Sequence, residues 1–217
     1  MRLSHHRIQG EPVSATHQPP ATATTGGRLT VKDLITVGVF SAFYIVAFYV
    51  AGMLGIIPIF MVLLALMCPI VGGIPFMLYL TRVKKFGMVT ITGLLVGLVM
   101  TGGGHSWQSL IIAPLVAFLA DLIFRAGNYS SWKHTLAGYF VFSLWIFGPY
   151  LPMMLNLDAY LAAIEPAYGT EYVTTVKSLM QSWFWFTIPV QVAVGTLIGA
   201  YLGRGVLRKH FERAGIA

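Results

Sequence analysis

The chain has 217 residues, of which 57% are hydrophobic and only 10% are charged, and its mean hydropathy is +0.76. This composition excludes an ordinary soluble domain and predicts a helical membrane protein, because a transmembrane helix needs about 20 mostly apolar residues. The net charge of +7 does not indicate nucleic-acid binding, since the basic residues flank apolar segments, and we expect no nucleic-acid partner.

The first 27 residues differ in composition from everything that follows. They are rich in Thr, Ala, Pro and His and contain no apolar run. A segment of this kind buries too little apolar surface to offset the entropy lost on ordering. We therefore predict a disordered cytoplasmic tail over 1–27 and a single membrane domain over 28–217.

The membrane domain is predicted to be all-α, with six transmembrane helices in one bundle. Each predicted span is an apolar stretch bounded by charged, glycine-rich or proline-containing residues. The predicted spans are 33–54, 57–81, 87–104, 107–125, 135–155 and 179–203.

The basic residues predict the orientation of the chain. Of the 14 Lys and Arg residues, all except Lys177 lie in the tail or beside the ends of spans that would share one side of the membrane. Short loops rich in Lys and Arg stay in the cytoplasm. Both termini are therefore predicted to be cytoplasmic, as six spans require.

The stretch "TGGGHSWQS", residues 101–109, would then lie outside, between the third and fourth spans. The glycines allow unusual backbone shapes, and His105 offers a donor or an acceptor at neutral pH. Gln108 could face the same pocket, and Trp107 could either stack on a planar ligand or anchor the chain at the interface. No second ligand accompanies His105 at helical spacing, so we predict no metal site.

The fifth and sixth spans supply further candidates for substrate binding. Trp145 is placed in the middle of the fifth span, and Tyr150 follows in a proline-rich segment that should distort the helix. Asn156 and Asp158 come next towards the outside, in a predicted external loop over 156–178 that could form one short surface helix, and Trp183 begins the sixth span. Together with the His105 loop they predict an outward-facing aromatic site.

Motifs for energy coupling and catalysis are missing from the sequence. It contains no phosphate-binding loop, no H-E-x-x-H and no G-x-S-x-G, so we expect a protein that is not an enzyme. Asp121 is the clearest acid within a span, and Arg125 stands four residues later, which predicts a local ion pair. The single cysteine, Cys68, is expected to be a buried packing residue.

Four segments resemble the S-components of energy-coupling factor (ECF) transporters, in the group called MptD-type or Trep_Strep-type. They are "RLTVKDLITVGVFSAFY", "GGIPFMLYLTRVKKFGMVTI", "FSLWIFGPYLP" and "LGRGVLRKHFERAGIA". The resemblance covers residues 28–217. It implies the six-helix S-component fold with a substrate pocket near the outer surface. The implied partners are a transmembrane T-component and two cytoplasmic ABC ATPases, which use the ATP, and the chain itself is expected to bind no cofactor.

S-components dock their T-component through small residues on the first helix. Two such ridges are present here, Gly38 with Ala42 and Ala47 with Ala51. Small residues four apart let helix backbones approach closely in lipid. Either ridge could instead pack within the bundle itself, and the first is preferred for docking because it lies nearer the cytoplasm.

The sequence therefore predicts a substrate-binding membrane subunit of an ECF-type importer. Its substrate would be a small micronutrient, either vitamin-like, heteroaromatic or a metal chelate. A stand-alone secondary transporter or facilitator, and an intramembrane enzyme, remain as alternatives.

Overall fold

The computed structural model describes residues 28–213, with side chains up to residue 209, so the predicted tail over 1–27 lies outside the described residues. Within 28–213 the chain forms nine α-helices and two 3₁₀ segments and no strand. The helices are α1 (Val31–Met53), α2 (Pro58–Leu80), α3 (Met88–Gly102), α4 (Ser109–Ala126), α5 (Trp132–Ser143), α6 (Phe147–Leu155), α7 (Leu157–Tyr168), α8 (Thr170–Leu179) and α9 (Phe184–Arg213).

Five helical segments are long and apolar enough to cross a membrane, which confirms the prediction of a multi-span helical protein. These segments are Val31–Ile56, Pro58–Leu80, Ser109–Ala126, Trp132–Leu155 and Phe184–Lys209. The predicted span 87–104 corresponds to α3, which has 15 residues and is shorter than the others.

Helices α1 and α3 run parallel and in register. Successive contacts join Asp33 to Lys85, Ser41 to Thr92 and Tyr49 to Val99. The paired residues advance together along both helices over 16 residues of α1, which is about 24 Å at 1.5 Å per residue. Helix α3 with its flanking turns therefore follows α1 over most of its length.

Helices α2 and α9 also run parallel, and they pack through glycine. The backbone of Gly195 lies against Leu66, Gly199 against Pro69, and Gly203 against Gly73. A methyl group at any of the three α9 glycines would overlap backbone atoms of α2. The absent side chains let the two backbones touch, which is the packing that hydrocarbon surroundings favour.

The predicted fifth span, 135–155, is not one continuous helix. It begins at Trp132, and the 3₁₀ segment Leu144–Ile146 divides it into α5 and α6. Pro149 has no N–H to donate to the carbonyl four residues earlier, so the α-helical pattern is interrupted here. Pro152 likewise leaves the Gly148 carbonyl without its helical donor, and the Ser106 hydroxyl donates to that carbonyl at 2.9 Å.

Asp121 does not form the predicted ion pair with Arg125. Its Oδ2 instead accepts hydrogen bonds from the N–H of Gly87 at 2.7 Å and of Thr90 at 3.2 Å, and from the Thr90 hydroxyl at 3.0 Å. Gly87 precedes α3 and has no side chain to cap it, so a carboxylate from α4 takes that role. Arg125 lies over the ring of Phe86, 5.5 Å from its centroid.

The loop predicted over 156–178 forms two helices, α7 and α8, rather than one short surface helix. Pro166 lies inside α7, and the helix ends at Gly169, whose φ of +85° favours glycine. The predicted sixth span, 179–203, starts later and ends later as α9, so Trp183 precedes that helix.

The bundle has two chemically different ends. The basic end comprises the start of α1, the α2–α3 and α4–α5 connections and the last turns of α9, and all described Lys and Arg residues except Lys177 lie there. Contacts between Asp33 and Lys85 and between Trp132 and Arg204 join these segments. The opposite end, the mouth end, comprises Leu54–Ile57, Gly103–Gln108 and the residues from Asn156 to Ser182.

Candidate functional site

A cavity of about 330 Å³ opens at the mouth end of the bundle. Its wall is contributed by α1, α2, α3, α6, α7 and α8, by both 3₁₀ segments and by the loop that follows α3. The lining residues are mostly aromatic or sulfur-containing: Phe48, Tyr49, Gly52, Met53, Gly55, Ile56, Met61, Leu64, Cys68, Met100, His105, Trp145, Ile146, Pro149, Tyr150, Met153, Tyr160, Ile164, Tyr168 and Tyr172. The volume lies at the lower end of the range for small-molecule sites.

The polar groups of the deep wall are occupied by the protein itself. The Trp145 indole N–H donates to the Tyr44 hydroxyl at 2.8 Å, and the Tyr150 hydroxyl donates to the Met61 carbonyl at 2.9 Å. Both side chains are almost fully buried. They therefore line the cavity with apolar ring surface, while their hydrogen bonds fix the ring positions.

No Asp, Glu, Lys or Arg is among the described lining residues. Four methionines and Cys68 add polarisable, adaptable surface to the aromatic rings. Cys68 is buried, as predicted. A ligand in this cavity would meet ring faces and sulfur atoms and would find no formal charge to pair with its own.

His105 lies at the rim of the cavity, in the loop between α3 and α4. Two hydrogen bonds hold the loop in place. The backbone N–H of His105 donates to the Met100 carbonyl at 3.0 Å, and the Ser106 hydroxyl donates to the Gly148 carbonyl. Gly104 has a φ of +91°, so the turn before His105 favours glycine. Partial burial lowers the pKa of His105, which keeps its imidazole neutral and able to donate or accept.

Helices α7 and α8 cover the outer side of the cavity. Tyr160, Ile164 and Tyr168 of α7 and Tyr172 of α8 line it from this side. The Tyr172 hydroxyl donates to the Gly55 carbonyl at 2.6 Å and so fastens α8 to the connection between α1 and α2. Desolvation raises the pKa of Tyr172 to about 12, so the hydroxyl stays protonated and remains a donor.

A second, more open groove of about 680 Å³ lies beside α7, α8 and the start of α9. An exposed ion pair between Asp158 and Lys177, 2.7 Å long, forms part of its wall. Trp183 and Trp185 line it as well. Met153 lines both this groove and the cavity, so one buried side chain separates the two spaces.

The structure brings three of the predicted substrate-binding residues together in the cavity, namely His105, Trp145 and Tyr150. The other two candidates from the His105 loop lie elsewhere. Trp107 is 63% exposed and lines neither space, which fits its alternative interpretation as an interfacial anchor. Gln108 is half-buried at the start of α4 and also lines neither.

The remaining candidates lie outside the cavity. Asn156 caps α7, with its side-chain oxygen accepting from the Ala159 N–H at 3.0 Å. Asp158 and Trp183 line the outer groove rather than the cavity.

Sequence reasoning missed the tyrosines that α7 and α8 contribute. Tyr160, Ile164 and Tyr168 recur every four residues, which places them on one side of α7, and Tyr172 joins them from α8. That spacing in an otherwise polar segment could have indicated a cavity wall. The aromatic Tyr49 of α1 and Met100 of α3 carry no comparable signal, because they belong to uniformly apolar helices.

The two small-residue ridges of α1 face different ways. Gly38 and Ala42 are exposed on the outer surface of the bundle, and a methyl group built on Gly38 would meet no atom within 4 Å. Ala47 is half-buried and Ala51 is buried in the core. Only the first ridge is therefore free to contact another helix.

Among residues 28–209, no three His, Cys, Asp or Glu side chains are grouped so that they could hold a metal ion. The ring nitrogens of His105 and the sulfur atoms of the cavity are the atoms that could coordinate a metal carried by a bound compound.

Comparison with known proteins places the chain in one family. The family model for Trep_Strep, described as a hypothetical bacterial integral membrane protein, matches residues 31–213. No curated protein and no solved structure matches the chain. The matched region includes every helix described above. The chain therefore belongs to the Trep_Strep family of bacterial integral membrane proteins.

Proposed function

We propose that the chain is the substrate-binding subunit, or S-component, of an ECF-type importer. The observation that carries this proposal is the cavity at the mouth end, which α7 and α8 line from one side. A membrane protein that binds a compound at one surface needs such a pocket. The described part of the chain offers no phosphate-binding loop, so energy would come from partner ATPases.

The lining favours a small, planar compound of low net charge. Ring faces from Trp145, Tyr150 and Tyr172 suit stacking, and neutral His105 suits one directional hydrogen bond at the rim. A vitamin-like or other heteroaromatic micronutrient fits this chemistry. A metal chelate also fits, with the metal's charge balanced within the compound. We propose that the subunit binds this compound and does not convert it.

The helix directions support a six-span topology with both termini in the cytoplasm. Helices α2 and α9 run parallel, which requires an odd number of crossings between them, and α4 and the α5–α6 segment supply only two. Helix α3, which follows α1 over about 24 Å, would supply the third. The basic end would then face the cytoplasm and the mouth end the outside. Protease tests this topology on sealed vesicles that contain the protein with a tag at each terminus. If the protease reaches one tag from outside the vesicle and the other only from inside, the topology is refuted.

The experiment that tests the function is native mass spectrometry of the detergent-purified protein, followed by identification of any small molecule that it retains. We expect a stoichiometric compound whose retention falls about tenfold in His105→Ala, because one hydrogen bond to the ligand is worth about 1.4 kcal/mol. Trp107→Ala in the same loop is the matched control, since Trp107 lines no cavity. Equal losses of retained compound in both variants would show that His105 is not part of the binding site.

Two alternatives predict different results. A stand-alone transporter or facilitator would move the identified compound into liposomes without any partner protein. An intramembrane enzyme would return a chemically altered compound. Uptake that appears only when the T-component and both ATPases are present would support the importer and contradict both alternatives.

A further inference from the structure

An exposed stripe of α9 at the basic end combines cationic, aromatic and glycine residues. Tyr201, Arg204, Gly205 and Arg208 follow one another at helical spacings of three, one and three residues, so they share one face. All four are exposed. A methyl group on Gly205 would meet no atom within 4 Å, which leaves a notch between two arginines one turn apart.

Trp132, the first residue of α5, packs against this stripe. The Arg204 guanidinium lies 4.4 Å from the centroid of the Trp132 ring, and the rings of Trp132 and Tyr201 meet edge to face at 5.5 Å. A guanidinium held over an indole keeps its N–H groups directed outwards and loses little further entropy on binding. Arg204 is therefore oriented before any ligand arrives.

The described carboxylates do not neutralise Arg204. Asp33 pairs with Lys85, and Asp121 is buried against the start of α3. The other described acids, Asp158, Glu165 and Glu171, belong to α7 and α8 at the mouth end. Among residues 28–209, no carboxylate forms an ion pair with Arg204.

The surroundings favour a lipid over a free anion. One turn towards the middle of α9, Leu197 and Ile198 are exposed large apolar side chains, so hydrocarbon chains would lie directly beside the stripe. Trp and Tyr side chains are typical of the membrane–water interface, where headgroup phosphates lie. An arginine fork matches phosphate geometry. The stripe thus offers a phosphate contact and an acyl contact in the correct order along the helix.

We propose that Trp132, Tyr201, Arg204, Gly205 and Arg208 form a binding site for the phosphate of an anionic membrane lipid. The site is separate from the cavity and lies at the other end of the bundle. It would hold α5 against α9 from the outside, because one headgroup contacts both helices. Filling the notch or removing the oriented guanidinium would weaken it.

The test measures lipids retained by the full chain, first by native mass spectrometry and then by thermal stability in nanodiscs. The nanodiscs contain phosphatidylglycerol with phosphatidylcholine, or phosphatidylcholine alone. We expect the anionic lipid to raise the Tm of the wild type and to remain bound. In Arg204→Gln its apparent affinity should fall about fivefold or more, as is usual for one basic residue at an anionic surface. Gly205→Leu should weaken retention while keeping every charge.

Arg82→Gln is the matched control, because Arg82 is an exposed arginine at the same end without an aromatic partner. Equal retention in wild type and Arg204→Gln would overturn the proposal. So would an equal loss in Arg82→Gln, which would show that only the general positive field attracts lipid. Equal stabilisation by inorganic phosphate would identify a free-anion site and overturn the assignment to a lipid. The Tm in phosphatidylcholine alone checks that each variant folds.

Discussion

Single polar residues in this bundle bind backbone groups that prolines and helix ends leave without partners. Ser106 donates to the Gly148 carbonyl, which Pro152 deprives of its helical donor. Asp121 accepts from the first amides of α3. Unpaired backbone groups cost several kcal/mol in hydrocarbon, so such contacts are worth more here than in water. They also explain why few polar residues lie inside the spans.

We predict that Asp121→Ala lowers the free energy of unfolding by about 2–3 kcal/mol, because it removes the carboxylate cap from α3 and leaves two partly buried amides unpaired. The measurement is thermal or denaturant unfolding in detergent. Asp158→Ala is the control, since its exposed ion pair should contribute about 0.5 kcal/mol or less. Similar losses for both carboxylates would contradict the capping role.

We predict that His105 makes the stability of the folded protein depend on pH. Its pKa in the folded protein is lowered from the ordinary value of 6.5 by desolvation. Below pH 6.5, His105 of the unfolded chain binds a proton more readily than His105 of the folded protein. The free energy of unfolding should therefore fall as the pH falls below 6.5. At higher pH, His105 is neutral in both states and should not affect the free energy of unfolding. A Tm series from about pH 8 to about pH 5 measures this, and His105→Gln should lose less stability on acidification. An identical acid loss in that variant would assign the effect to other groups.

At the scale of helices, glycine determines which surfaces meet. The small-residue ridges predicted to dock a partner lie on α1, whereas glycines of α9 bring that helix directly against the backbone of α2. Gly195, Gly199 and Gly203 recur every four residues, so the pattern was readable from the sequence. The identity of the partner helix was not, because every apolar helix in the chain is an equally suitable partner by composition.

We predict that Gly199→Ala destabilises the bundle by about 1–3 kcal/mol, because the methyl group would push α9 away from the Pro69 carbonyl. Gly205→Ala on the same helix points into open space and should be neutral or slightly stabilising through helix propensity. Unfolding in detergent compares the two variants. A tolerated Gly199→Ala together with a damaging Gly205→Ala would contradict the α2–α9 packing.

At the same scale, three of the residues predicted from the sequence lie in the cavity wall. His105, Trp145 and Tyr150 were predicted from a glycine-rich loop and a proline-distorted span, and both features create irregular backbone that lines the cavity. The tyrosines of α7 and α8 were missed because the segment was interpreted as an external loop. Its helices bury only one face, so the aromatic spacing carried the information that hydropathy did not.

At the scale of the whole molecule, almost all described Lys and Arg side chains are separated from the cavity and lie at the opposite end of the bundle. The distribution of Lys and Arg along the sequence predicted this separation, since each basic cluster flanks an apolar segment. Residues 28–209 follow it, with Lys177 alone among the basic residues at the mouth end. The exposed Gly38–Ala42 ridge lies on α1 towards the basic end, where a partner helix could approach from the lipid.

We predict that Gly38→Leu blocks assembly with a T-component and the ATPases but leaves ligand retention intact, because Gly38 is exposed and distant from the cavity lining. Co-purification of the co-expressed proteins measures assembly. Gly52→Leu, on the same helix but in the cavity wall, should reduce ligand retention and leave assembly intact. Normal assembly of Gly38→Leu would exclude this ridge as the docking surface.

The sulfur of Cys68 gives the molecule an internal reporter. It is the only thiol in the sequence, it is buried, and it belongs to the cavity wall. A thiol-specific probe that alkylates the folded protein must therefore have reached the interior. The rate of that reaction measures how readily the probe reaches the cavity. A compound that binds in the cavity should slow the reaction. Candidate substrates can therefore be screened without knowing their identity beforehand.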